Sequence, residues 1–150
     1  MNQLTRLECA DWLLSRDRFT ILTHRKPDGD TLGSASALCL GLRQLGKTAH
    51  VLQNEEVTPL YAPLLEGLTK PQAEEGDILI AVDVAADSML PKSYADMKNS
   101  IVLRIDHPGS GREYTPNEFV DPASAACAEM IWELRLDMGV TPDQKIAESV

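Results

Sequence analysis

The sequence predicts an α/β domain built on a mostly parallel sheet with helices on both faces. Short apolar, β-branched runs alternate with longer stretches of helical periodicity, the pattern of right-handed βαβ units. One run, Ile78-Leu-Ile-Ala-Val82, is apolar without interruption and marks a strand buried on both sides. Polar residues capable of chemistry follow the strands instead of lying within them, as ligand-binding groups do in open α/β sheets.

The elements follow in order. Leu4, Leu7, Ala10 and Leu14 recur at helical spacing and predict a first helix. Phe19-Thr-Ile-Leu-Thr23 reads as the first strand. Residues 33–45 predict a helix with Leu38, Leu42 and Leu45 on one face and Gly46 as its stop. Residues 48–52 form a second predicted strand. Residues 54–70 read as irregular, with a short helix near 60–65. Residues 77–82 and 101–105 are the third and fourth predicted strands. Asp121-Pro122 supplies an N-cap and first-turn proline for a helix reaching about Met138. Thr141-Pro142 and Asp143 then open a last helix, whose apolar residues Ile146, Ala147 and Val150 run to the end of the sequence. That face predicts a domain interrupted at its C-terminus.

Of the 150 residues, 43% are apolar, enough for a core, while 14 basic against 23 acidic residues leave a formal charge of −9. Such acidity argues against a broad basic surface for long duplex nucleic acid. A short anionic substrate stays compatible if metal ions supply positive charge. Cys9, Cys39 and Cys127 are far apart and form no CxxC pair, which supports neither a disulfide framework nor a thiolate zinc site. The first residues, with Glu8, Asp11 and Asp17, do not resemble a signal peptide, and no run approaches the roughly 20 apolar residues of a membrane span. A reducing, cytoplasmic setting without a membrane partner is the default expectation. No GxGxxG or P-loop pattern follows the first strand.

Three polar clusters fall at predicted strand ends: His24-Arg-Lys-Pro-Asp28-Gly-Asp30, Asp83, and Asp106-His107. Alone, Asp28-Gly29-Asp30 reads equally as a turn, Asp83 as a cap and His107 as a hydrogen-bonded structural histidine. Together they place carboxylates and imidazoles on one rim of one sheet. Oxygen and imidazole donors without thiolate suit Mn²⁺, with Mg²⁺, Fe²⁺ or Co²⁺ as alternatives. The number of candidate ligands fits two ions sharing a carboxylate, and Asp83, alone on its strand end, is the natural bridge.

The pattern His24-x-x-Pro27-Asp28-Gly29-Asp30-x-x-Gly33-Ser34, Asp83 after its strand, and Ile105-Asp106-His107 resembles the first three motifs of the DHH phosphoesterases. Phe119-Val-Asp-Pro-Ala-Ser124 running into Glu129-Met-Ile-Trp-Glu-Leu134 resembles that family's following helix. Within the family, the bacterial oligoribonuclease and 3′-phosphoadenosine-5′-phosphate phosphatase branch is most similar. The resemblance implies one metal held by His24, Asp28 and Asp83, and a second by Asp30, Asp83 and His107. It implies Asp106 as the residue orienting His107, and a metal-activated hydroxide attacking phosphorus in short oligoribonucleotides or nucleotide phosphates. Ser34 and the cysteines need no covalent role, and Cys39 and Cys127 read as core. His50 lies outside the motifs.

Two departures accompany the resemblance. Pro108 stands where the family's third motif has a second histidine. The fourth-motif aspartate and the smaller C-terminal substrate-binding domain would lie beyond Val150, so residues 1–150 are expected to be most of a catalytic domain, weak or inactive by itself. The alternative reading is a catalytically degenerate metal- or nucleotide-binding module. A homodimer is compatible with the sequence.

Overall fold

The computed structural model describes residues 2–107, 113–121, 124, 126–141 and 146. Seven strands form one sheet: β1 (Asn2–Gln3), β2 (Phe19–Leu22), β3 (Ala49–Leu52), β4 (Thr69–Lys70), β5 (Ile78–Val82), β6 (Ile101–Asp106) and β7 (Asn117–Val120). Their spatial order is β1-β7-β6-β5-β2-β3-β4 and every pairing is parallel. The helices are α1 (Arg6–Leu14), α2 (Gly29–Gln44) and α3 (Cys127–Asp137). From β2 the chain crosses to β3 on one side, whereas β5 lies on the other. The ends of β2 and β5 therefore flank a topological switch point, where open α/β sheets form their ligand crevice.

Strand alternation divides the core. Ile21, Ile80, Val82, Leu103 and Ile105 pack with Leu13 of α1, Leu38 and Leu42 of α2, and Met130 and Leu134 of α3. Leu22, Leu79, Ala81 and Ile101 face the opposite way, toward Leu90 and Tyr94. A register shift between Leu79 and Ile80 puts Ile101 on that second side while Leu103 faces the helices. Among the described residues the second cover is built of 3₁₀ turns, including Lys92–Ser100. The Tyr94 hydroxyl pins it by hydrogen bonding the carbonyls of Leu52 and Gln53, each at 2.9 Å.

Several elements depart from the sequence reading. Helix α1 opens on a capping box, in which Thr5 Oγ1 accepts from the Glu8 amide and Glu8 Oε1 accepts from the Thr5 amide. Its buried stripe is Cys9, Ala10 and Leu13, whereas Leu7 is 63% and Leu14 39% exposed. The spacing of leucines identified the helix but not the face that packs, because α1 lies close to α3 through smaller side chains.

Helix α2 starts at Gly29, four residues before the expected Gly33, because Asp28 is its N-cap and accepts from the Thr31 amide at 2.9 Å. Strands β1 and β4 are two residues each, too short to show a period. Strand β7 reads as polar because it carries Glu118, which is fully buried.

Helix α3 begins at Cys127 with Ala126 at the N-cap, so Asp121 does not cap it. Asp121 instead accepts from the Ser124 hydroxyl at 3.0 Å. Pro108, Pro122, Pro142, Asp143, Ala147 and Val150 lie outside the described residues; Ile146 is buried. Among the described residues no helix is long and apolar enough to cross a membrane.

One buried carboxylate stitches the sheet away from the polar rim. Asp77, with 3% of its side chain exposed, accepts from Thr20 Oγ1 at 3.0 Å, the Glu74 amide at 2.8 Å, Arg18 Nη2 at 3.1 Å and Lys70 Nζ. Burial would raise its pKa, but the bonds from Lys70, Glu74 and Thr20 outweigh that and hold it below the usual carboxylate range. A carboxyl lowered on folding stabilises the chain above its unfolded pKa, and this contribution fades as pH falls through the folded value. The Asp77→Asn chain is expected to be less stable than wild type by about 2 kcal/mol near neutral pH. The gap should narrow as pH falls below the usual carboxylate range and through the folded value of Asp77, as followed by urea unfolding at neutral and acid pH.

Candidate metal centre

The three polar clusters meet at the carboxyl ends of β2, β5 and β6. His24 follows β2 after Thr23, and Asp28 and Asp30 sit at the N-cap and in the first turn of α2. Asp83 follows β5 with φ +60, a left-handed conformation that non-glycine residues rarely adopt. Its amide donates to the Ile105 carbonyl at 2.8 Å, which ties the end of β5 to β6. Asp106 ends β6 and His107 comes next.

Two groups of ligand-type atoms result. Those of His24, Asp28 and Asp83 lie within 4.8 Å of one another, and so do those of Asp30, Asp83 and His107. Asp83 belongs to both. Its Oδ2 is 3.9 Å from His24 Nε2 and its Oδ1 is 3.3 Å from His107 Nε2, so the two carboxylate oxygens face different histidines. His24 Nδ1 lies 2.6 Å from the Arg25 carbonyl. A proton on Nδ1 makes that contact a hydrogen bond and leaves the Nε2 lone pair free for a metal.

Thr31 is the residue that sequence reading missed at this site. Its Oγ1 is 2.7 Å from His24 Nε2, 3.0 Å from Asp28 Oδ1 and 2.7 Å from Asp83 Oδ2. One hydroxyl has one proton, and it meets three acceptors here. Such a donor-poor cluster needs a further proton or a cation, and its oxygen and imidazole donors fit a hard or borderline divalent ion. A threonine in the first turn of a helix carries no sequence signal of this kind; only convergence of β2, α2 and β5 reveals it.

The carboxylates differ in what offsets them. Asp30 accepts from the first amides of α3, Cys127 N at 3.2 Å and Ala128 N at 3.0 Å, so it caps that helix across the fold. Asp106 accepts from the His107 amide at 2.8 Å and from Arg104 Nη1 at 3.0 Å. The Cys127 thiol, buried against Ile105, is pushed well up by desolvation and by Asp83, Asp30 and Asp106, which leaves it an inert core group. Ser34 Oγ donates to the Asp30 carbonyl at 2.6 Å. His50 lies on β3, away from these groups.

Burial raises Asp83 to about 6, with Asp30 and Asp106 adding to the shift while Thr31 and His107 oppose it. A carboxyl raised on folding favours the folded chain at low pH, and that advantage disappears as pH rises through the folded value. With chelator present, the Asp83→Asn chain is expected to be more stable than wild type by about 2 kcal/mol near neutral pH. The difference should vanish by about pH 4, as measured by urea unfolding.

A profile described as "DHH family, N-terminal domain" matches residues 18–150. A protein from Thermus thermophilus, the bifunctional oligoribonuclease and PAP phosphatase NrnA, is 32% identical over 132 residues. That match takes in 87% of this chain and 40% of the relative, so the chain spans well under half of its length. Among solved structures, an exopolyphosphatase-related protein from Bacteroides fragilis superimposes with a TM-score of 0.71 at 19% identity, covering 96% of this chain and 47% of that one. The exonuclease RecJ bound to manganese gives 0.57 at 19% identity, covering 99% and 42%. At those identities the structures speak to the fold alone. The profile match over most of the sequence establishes the relationship: the chain belongs to the DHH family and carries its N-terminal domain.

Proposed function

We propose that this chain is the metal-binding part of a phosphoesterase that hydrolyses short oligoribonucleotides or nucleotide phosphates such as 3′-phosphoadenosine 5′-phosphate. The observation that carries the reading is Asp83, whose two oxygens face His24 and His107 and which belongs to both ligand groups. His24, Asp28 and Asp83 would hold one divalent ion; Asp30, Asp83 and His107 would hold the other. Oxygen and imidazole donors, and a RecJ structure bound to manganese, support Mn²⁺, with Mg²⁺ or Co²⁺ as alternatives. Bound ions would supply positive charge for phosphoryl oxygens and lower the pKa of water.

The chain's own residues prepare the site. The Thr31 hydroxyl lies among three ligand atoms and can donate to one of them at a time, the Arg25 carbonyl orients His24, and the α3 amides aim Asp30. Asp106 accepts the His107 amide and so fixes how the chain leaves β6 at His107. Arg25 and Lys26, exposed beside His24, offer cations to an incoming phosphate. The buried thiols of Cys9, Cys39 and Cys127 suit a reducing cytoplasm. A second reading, a metal- and nucleotide-binding module without turnover, rests on Pro108, which offers no donor directly after His107.

Calorimetric titration with Mn²⁺ is expected to give two ions per chain, and Asp83→Ala to weaken binding at least about 100-fold. Equal affinity in the two proteins would end the shared-ligand scheme. Affinity should also fall as pH drops through about 6, because the Asp83 proton must leave before a metal binds. For the activity, the protein is assayed on short RNA and 3′-phosphoadenosine 5′-phosphate with Mn²⁺. Turnover abolished by Asp30→Ala is the expected result; bound metal without turnover on either substrate selects the second reading.

A further inference from the structure

Beside the rim, three charged residues are buried almost completely. Arg104 is 2%, Asp106 1% and Glu118 0% exposed, on paired strands where Arg104 and Glu118 are register partners. Arg104 Nε and Nη2 both lie 2.6 Å from Glu118 Oε1, and Nη1 is 3.0 Å from Asp106 Oδ2. Glu118 Oε2 is filled by Thr115, through its amide at 3.1 Å and hydroxyl at 2.6 Å, and by the Tyr114 amide at 3.3 Å. The same guanidinium reaches the Ala85 carbonyl at 3.3 Å and lies 5.3 Å from the Tyr114 ring centroid. The Tyr114 hydroxyl donates to the Val84 carbonyl at 2.7 Å.

These contacts end on the two segments that bear the shared and second-group ligands. Val84 and Ala85 follow Asp83, whose left-handed backbone must be held by its neighbours. Asp106 Oδ1 accepts the amide of His107. We propose that Arg104 is a positioning residue for the metal centre: its fork, seated on Glu118, fixes the ends of β5 and β6 relative to one another and so sets the spacing of Asp83 and His107. A burial cost of this size is poorly explained by stability, since apolar residues of similar volume commonly serve as well. His24, just beyond β2, and Asp28, the N-cap of α2, are joined to this end of the sheet through Asp83 and Thr31, not through Arg104. The inference rests on the two-ion reading above.

The test is Mn²⁺ titration by calorimetry on the full chain in wild type, Arg104→Lys and the paired swap Arg104→Met with Glu118→Met, each checked for fold by circular dichroism and thermal unfolding. The paired swap is expected to keep the fold, to retain one ion within about twofold of its wild-type affinity, and to weaken the other about 10- to 100-fold. Arg104→Lys, whose ammonium cannot fork both carboxylates, should show a smaller loss in the same ion and keeps the test alive if the paired swap does not fold. Both ions bound as in wild type by Arg104→Lys and the paired swap, or both weakened together in step with thermal stability, overturns the proposal. A wild-type chain that binds no Mn²⁺ overturns the two-ion reading itself, and this inference with it.

Discussion

Four carboxylates converge on one rim of a parallel sheet, and their mutual repulsion is the constraint that the surrounding structure answers. Each has its own remedy. Asp28 caps its own helix, Asp30 caps α3 from across the fold, and Asp106 takes an amide and a buried guanidinium. Asp83 has a single neutral donor, the Thr31 hydroxyl, among the described residues. It is the group raised to about 6, and it sits between the two histidines. The least compensated charge therefore lies at the centre, where a cation would gain most.

The same contacts serve packing and site together. The α3 cap on Asp30 joins the helical layer to the ligand cluster, so the placement of that carboxylate depends on how α3 lies on α2. The Asp83 amide, bonded to Ile105, joins the ends of β5 and β6 just where the ligands leave the sheet. Rigid elements thus hold the groups that must not move, which is how a shared-ligand arrangement tolerates repulsion without collapse. The second face is covered differently, by 3₁₀ turns pinned through Tyr94, and it holds Arg104 and Tyr114 under the strand ends.

Much of this was legible in the residues alone. Apolar strands Phe19–Leu22, Ile78–Val82 and Ile101–Asp106 announce themselves by composition, and the polar clusters directly after them identify His24, Asp28, Asp30, Asp83, Asp106 and His107 as the groups to watch. The true start of α2 was hidden because Pro-Asp-Gly is also a turn signal. Strand β7 was hidden because burying Glu118 breaks the apolar pattern that marks strands. The leucine spacing in α1 reports helicity, while the buried stripe is Cys9, Ala10 and Leu13.

By itself, the sequence determined the α/β class, the parallel order of supersecondary units and the inventory of ligand-type side chains, because these depend on local periodicity and on residues adjacent in the chain. Only the tertiary structure decided how the charges are shared out. Asp30 meets the amides of Cys127 and Ala128, Thr31 meets Asp83, and Arg104 meets Glu118, at separations along the chain that no local pattern encodes. Compensation of buried charge is a matter of a few ångströms in space, and that proximity exists only once the strands have taken their places.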